Sequence, residues 1–279
     1  MAERFSLAPF AACKAVVCDL DGTLYLDHSP IPGAREFLRA VLTSGRQLFY
    51  FTNNTSKSRR TYLDKLQRLD FPAAEHQLIT AADCTIHHLK QQDLFPEIFL
   101  IGNQDLQGEF ERAGFDCVPA ARTAAKKPRA VVLAFDTELT FEKIRTGYDL
   151  IVAGTPYLAT HGDILCPVEG GRFMPDIGTF IALFATATGG RTPEIIGKPF
   201  RGAVEAISGR AGLPPADIAF VGDRLYTDIR MAQNFDLVGV LVLSGETSRA
   251  MAESSPDQPR LMVESVADLI PALRVTAQS

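Results

Sequence analysis

The 279-residue chain has no C-x-x-C pair, no membrane-length apolar run, no excess of basic charge and no internal repeat. Each absence removes a class. Its cysteines, Cys13, Cys18, Cys84, Cys117 and Cys166, number five. An odd count without paired spacing argues against a zinc site or a disulfide framework, and for reduced thiols in a cytoplasm. Without a long apolar run there is no membrane span. The short stretch Phe5–Cys13 ends in Phe10-Ala11-Ala12-Cys13, a faint likeness to a lipoprotein cleavage site. Glu3 spoils the basic leader such a site needs, and cleavage would leave almost nothing before the first strand. With 28 basic against 33 acidic residues, the net charge of −5 disfavours nucleic acid and a membrane surface as partners. A phosphorylated substrate is still allowed, because it needs only a local positive site.

What is present is a globular composition, 46% hydrophobic, enough to bury a sizeable core. Apolar runs that stop at polar or glycine punctuation read as core strands: Ala15–Cys18, Leu48–Phe51, Glu194–Ile196, Ile218–Val221 and Val238–Val242, with a weaker sixth at Leu261–Val263. Helical spacing falls between them, at Gly33–Leu42 and Ser58–Leu69. Alternation of this kind predicts a parallel, doubly wound α/β sheet. More than a βα connection lies between the second and third runs. That segment has strands at Ile98–Ile101, Ala130–Phe135 and Tyr157–Ala159, helices around Gln104–Ala113 and Phe141–Leu150, and a hairpin Ile164–Phe173 turned by Glu169-Gly170-Gly171. The expected architecture is a core of residues 1–83 and 181–279 with an inserted α/β domain at 84–180.

Polar clusters follow four of the runs, where open α/β sheets place their ligands. The first is Asp19-Leu20-Asp21-Gly22-Thr23-Leu24-Tyr25. Two acids two residues apart repel, and a divalent cation is the simplest offset. The second is Thr52-Asn53-Asn54, whose hydroxyl and amide groups could hold phosphate oxygens or serve as a helix cap. The third, Gly197-Lys198-Pro199, puts a lysine just past a buried strand; solvation at the strand end is the plainer fate for such a lysine. The fourth is Gly222-Asp223-Arg224-Leu225-Tyr226-Thr227-Asp228-Ile229.

In order and position these clusters resemble the motifs of the haloacid dehalogenase-like hydrolases: D-x-D-G-T-[LV], a strand ending in T-N-N, G-K-P, and G-D-x-x-x-T-D-I. The T-N-N form is similar to subfamily IIA, with its inserted α/β cap and its p-nitrophenyl phosphatase, nucleotidase and pyridoxal phosphatase-like members. The resemblance implies a Rossmann-like core and a phosphatase of small phosphorylated metabolites. By it, Asp19 is the nucleophile, Asp21 the general acid and base, and Lys198 the neutralising cation. Thr52 and Asn53 bind phosphate. Mg²⁺ is held by Asp19, Asp21 through its carbonyl, and Asp223. For Asp228 two roles stay open, support of the metal ligands from behind or a carboxylate at a helix start. Leu158–His161 and Met174–Gly178 resemble the cap hairpin, although many relatives have Asn at His161 and Gly at Asp176. His161, Asp163 and Asp176 are therefore candidates for substrate contact, with plain polar loop duty as the alternative. The resemblance also raises a homodimer through the cap. Two rivals stand beside this reading. One is another chemistry of the superfamily, such as dehalogenation or phosphoryl transfer. The other is a phosphometabolite-binding regulatory protein that has lost turnover. Asp21 argues against dehalogenation, which does not require an acid there.

Overall fold

The computed structural model describes residues 6–168 and 172–273 and divides into two compact units. The first comprises residues up to Thr52, Leu63–Ile79 and the segment from Val204 onward. Its six-stranded sheet runs in the order Leu261–Val263, Val238–Val242, Ile218–Gly222, Ala15–Asp19, Gln47–Thr52 and Leu78–Thr80. The Ala15–Asp19 strand pairs in parallel with Ile218–Gly222 on one side and Gln47–Thr52 on the other. Val16, Val17 and Cys18 are fully buried, as a strand covered on both faces requires. Later strands extend the sheet to either side of this one, so its carboxyl end is the point where strand order reverses. Asp19 is the last residue of that strand. The helix Ala34–Thr43 begins after Gly33, at φ +81°, and buries Ala34, Phe37, Leu38 and Val41 on one face.

The second unit comprises Asn53–Tyr62 and Thr80–Ala203. Its five strands run Glu194–Ile195, Tyr157–Ala159, Ala130–Leu133, Glu97–Ile101, Asp116–Cys117, all parallel. Phe99, Ile101, Val131, Leu133, Ile151, Ile177 and Phe184 form its core between this sheet and the helices Phe141–Val152 and Ile177–Ala187. The hairpin strands Leu165–Val168 and Arg172–Pro175 pair antiparallel, and the turn read at Glu169-Gly170-Gly171 lies outside the described residues.

Two readings of the sequence need correcting. The run Glu194–Ile196 is not a strand of the first sheet: Glu194 and Ile195 pair with Leu158 and Ala159 in the second. A two-residue ladder has an apolar pattern too short to say which sheet it joins. The Leu78–Thr80 strand of the first sheet was not foreseen; three residues leading straight into the helix Ala81–Gln91 give no separable signal. By its internal contacts, the second unit takes in Thr80–Ala203 together with the segment Asn53–Tyr62.

Candidate active site

In the first unit, the Asp19, Asp223 and Asp228 carboxylates each place an oxygen within 4.8 Å of the others. Asp223 follows the Ile218–Gly222 strand and is buried, and so is Asp228. Burial, and then the neighbouring Asp228 charge, push the Asp223 carboxyl up to about 6. Asp223 Oδ2 accepts the Glu246 amide at 2.7 Å, whereas its buried Oδ1 has no hydrogen-bond partner among the described residues. Two glycines press against this side chain. A Cβ on Gly22 would lie 2.3 Å from Asp223 Oδ2, and one on Gly245 would lie 2.0 Å from it. An orphaned carboxylate oxygen in a tight, anionic, oxygen-only pocket fits a small hard dication such as Mg²⁺.

Asp228 lies within a π-helical turn, Leu225–Ile229, and not at the start of an ordinary helix. Such wide turns re-aim side chains and recur at functional sites. Here the turn brings the carboxylate back to accept the Arg224 amide at 3.1 Å. Asp228 also packs so closely on Gly222 that any side chain there would collide with it.

Asp21 sits in the turn after the first strand, with its side chain 43% exposed. Gly22, at φ +84°, reverses the chain, and its amide donates to the Tyr25 carbonyl at 2.9 Å. Thr52 is buried at the end of its strand, beside the strand that carries Asp19.

In the second unit, the segment after Thr52 is bonded to the carboxyl ends of that unit's own strands. Asn53 grips Lys198 by both backbone groups, accepting from its N–H at 3.0 Å and donating to its carbonyl at 3.1 Å. The same Asn53 amide faces Asp163, at 3.3 and 3.4 Å from its two oxygens. The Phe135 amide donates to Thr55 Oγ1 at 3.2 Å, and Asn103 donates to the Ser56 carbonyl at 2.8 Å. Gly197 is needed for this approach, since a Cβ there would lie 2.6 Å from the Thr160 carbonyl and 2.8 Å from Asn53 Oδ1. Lys198 is buried and not merely solvated past a strand end.

His161, Asp163 and Asp176 are all buried, with one ligand-type atom of each within 4.8 Å of the others. His161 Nε2 is 3.3 Å from Asp176 Oδ1, which also accepts the Ile177 amide at 2.6 Å and caps the helix that follows. Four residues of the site fall outside the motifs: Ser244, Gly245 and Glu246, which close around Asp223 and Gly22, and Lys65, which reaches Asp21. A glycine just past the Val238–Val242 strand was the one available sign of the former; nothing in the sequence marked Lys65.

A family model described as haloacid dehalogenase-like hydrolase matches residues 16–116, and one described as HAD-hydrolase-like matches residues 195–269. The human glycerol-3-phosphate phosphatase is 31% identical, with 98% of this chain and 94% of that protein covered. The chain belongs to the haloacid dehalogenase-like hydrolases. Within them it stands with the NagD and p-nitrophenyl phosphatase type. The 5'-nucleotidase YutF of Bacillus subtilis (strain 168) is 30% identical over 92% of this chain and 98% of its own. The solved 4-nitrophenylphosphatase of Thermotoga maritima superposes with a TM-score of 0.88 at 34% identity, covering 95% of this chain and 99% of that one. Such phosphatases typically use Mg²⁺, and the carboxylate cluster of the first unit is the matching feature here.

Proposed function

We propose that this phosphatase hydrolyses small phosphorylated metabolites through an aspartyl-phosphate on Asp19. The observation that carries the proposal is the gathering of Asp223 and Asp228 with Asp19 of the switch strand, one buried Asp223 oxygen having no hydrogen-bond partner among the described residues. Asp19 attacks phosphorus as its carboxylate, and the bond to the leaving oxygen breaks as the new P–O bond forms. Asp21 gives its proton to that oxygen. It then takes a proton from the water that attacks the intermediate, returning Asp19 and releasing inorganic phosphate. Lys198, Thr52, Asn53 and backbone amides near Gly22 supply donors for the phosphoryl oxygens. When bound, Mg²⁺ would be held by Asp19, Asp223 and the Asp21 carbonyl and would supply charge neutralisation at phosphate.

Substrate choice is assigned to the second unit, with His161, Asp163 and Asp176 as contacts. Glycerol 3-phosphate and nucleoside 5'-monophosphates, taken from the names of the relatives, head the panel to be tested. We further propose a cytoplasmic setting, supported by five cysteines of which none forms a disulfide. A homodimer through the second unit is proposed on the exposed Ile164, Leu165 and Phe173 of its hairpin, and light scattering tests it.

The deciding experiment is phosphate release from p-nitrophenyl phosphate and the panel, with and without Mg²⁺, for the wild type and Asp19→Asn. Turnover that needs Mg²⁺ and vanishes in the variant is expected. No release from any phosphate would favour the binding-protein rival, and activity retained in Asp19→Asn would refute the nucleophile.

A further inference from the structure

Asp21 is held from two sides by residues with no assigned role. Tyr25 Oη donates to Asp21 Oδ2 at 3.3 Å, and Lys65 Nζ lies 3.7 Å from Asp21 Oδ1. The same ammonium sits over the Tyr25 ring, 3.7 Å from its centroid. Tyr25 is fully buried, and the Lys65 side chain is only 15% exposed. Tyr25 arrives there because the Gly22 turn folds the chain back, so that Asp21 and Tyr25 form an isolated bridge. Lys65 arrives from elsewhere, on the helix Arg59–Arg68.

An exposed lysine–carboxylate pair would need no function. This lysine is different, since it is largely buried and packed on an aromatic face, an arrangement that fixes a long side chain at an entropic cost. A carboxylate turns easily about its last bond, whose torsion is broad and two-fold. Engaging both oxygens sets its plane. Each oxygen keeps a further lone-pair direction, so a proton can still be exchanged with a substrate oxygen or a water. A general acid works only within hydrogen-bond reach of the atom it protonates, and small misplacements are costly.

We propose that Tyr25 and Lys65 are positioning residues for Asp21, orienting its carboxyl group for proton delivery to the leaving oxygen. The inference rests on the acid–base reading of Asp21. An alkoxide leaving group needs that proton, and p-nitrophenolate hardly does. The first-order consequence appears in kcat/KM, which covers the steps up to aspartyl-phosphate formation, where the leaving group departs.

The test compares kcat/KM for p-nitrophenyl phosphate and for the best alkyl phosphate of the panel, with Mg²⁺ present and thermal melts alongside. Tyr25→Phe and Lys65→Met should lower the alkyl value about ten- to a hundred-fold and the aryl value by less than about threefold. Lys65→Arg, which keeps the charge, should restore most of the loss. Asp21→Asn serves as the reference and should show the same selectivity more strongly. If Tyr25→Phe and Lys65→Met scale both substrates alike, or neither, while Asp21→Asn keeps its selective loss, the positioning role is wrong. If Asp21→Asn spares the alkyl phosphate, the acid assignment beneath it is wrong. Tyr25→Phe removes one oxygen and leaves the ring in place, so it decides the matter even if Lys65→Met unfolds.

Discussion

A carboxyl group raised to about 6 by burial and a neighbouring carboxylate ionises less readily than an ordinary aspartate, and a cation bound beside it offsets both costs. Asp223 is in that position, and its surroundings leave it little freedom. Its Oδ2 is fixed by the Glu246 amide, and Gly22 and Gly245 close on it from two directions. Gly245 carries no left-handed backbone requirement, so Gly245→Ala tests space alone. The new methyl would meet Asp223 Oδ2 at 2.0 Å and force the carboxylate off the Glu246 amide. Disturbing the groups that orient a metal ligand typically costs about ten- to a hundred-fold in affinity. The Mg²⁺ concentration for half-maximal activity should rise by about tenfold or more in this variant. A Mg²⁺ titration of phosphate release measures this, and an unchanged midpoint would remove Asp223 from the metal site. Asp19 and Asp223 stood out in the sequence as candidates because the first ends a strongly apolar strand and the second follows one. The glycine and serine that shape their pocket did not, since small residues after a strand usually mean only a turn.

Among elements, the segment after Thr52 shows how a short motif can join distant parts of the chain. Asn53 serves the backbone of Lys198, which lies 145 residues further on, on both its donor and its acceptor side. Periodicity cannot reveal such a pairing, because it is made by one side chain on one loop. The same limit explains the Glu194–Ile195 strand: its apolar character was readable, but its partner Leu158–Ala159 was not. Where the signal was long, as in Ala15–Asp19 or Ala34–Thr43, the element and its buried face were both legible. Asn53→Ala would delete both bonds to Lys198 and leave Asp163 without that amide. Buried groups left unpaired cost about 1–3 kcal/mol each, so the melting temperature should fall. Loss of the grip on the lysine should also lower kcat/KM about ten- to a hundred-fold for every phosphate, because the phosphate is common to all. Asn53→Asp should be worse than Ala in stability, since it sets a carboxylate against Asp163 and cannot donate to the Lys198 carbonyl. Kinetics that fall only for large substrates would instead make Asn53 a specificity residue.

At the scale of the whole molecule, the chain passes between its two units four times, after Thr52, Tyr62, Ile79 and Ala203. Asp19, Asp21 and Asp223 lie in the first unit, and His161, Asp163 and Asp176 lie in the second. Asn53 and Lys198 also lie in the second unit, so the separation to be tested is between these phosphate-binding candidates and the three substrate-contact candidates. In the sequence the four motifs stood out by their order, whereas for substrate choice only a hairpin with two unusual residues stood out. Those two residues, His161 and Asp176, face each other across 3.3 Å and are both buried. Asp176 is also a helix cap, so truncation to Ala would mix a stability loss of about 1 kcal/mol with any effect on substrate. Asp176→Asn avoids that, because asparagine caps a helix about as well as aspartate while the charge is removed. His161→Asn likewise keeps a polar group near Thr160 and Asp176 but loses the imidazole. If the pair shapes the substrate site, each variant should reorder the panel, changing the ratio between glycerol 3-phosphate and a nucleoside 5'-monophosphate by about tenfold or more. The rate on p-nitrophenyl phosphate should move far less, since remote contacts help only a substrate large enough to reach them. Steady-state kinetics across the panel, with melts as the control, provide the comparison. A common factor on every kcat/KM with an unchanged melt would assign the pair to the reaction and not to specificity. A lowered melt with unchanged ratios would make His161 and Asp176 a structural pair that anchors the Ile177–Ala187 helix.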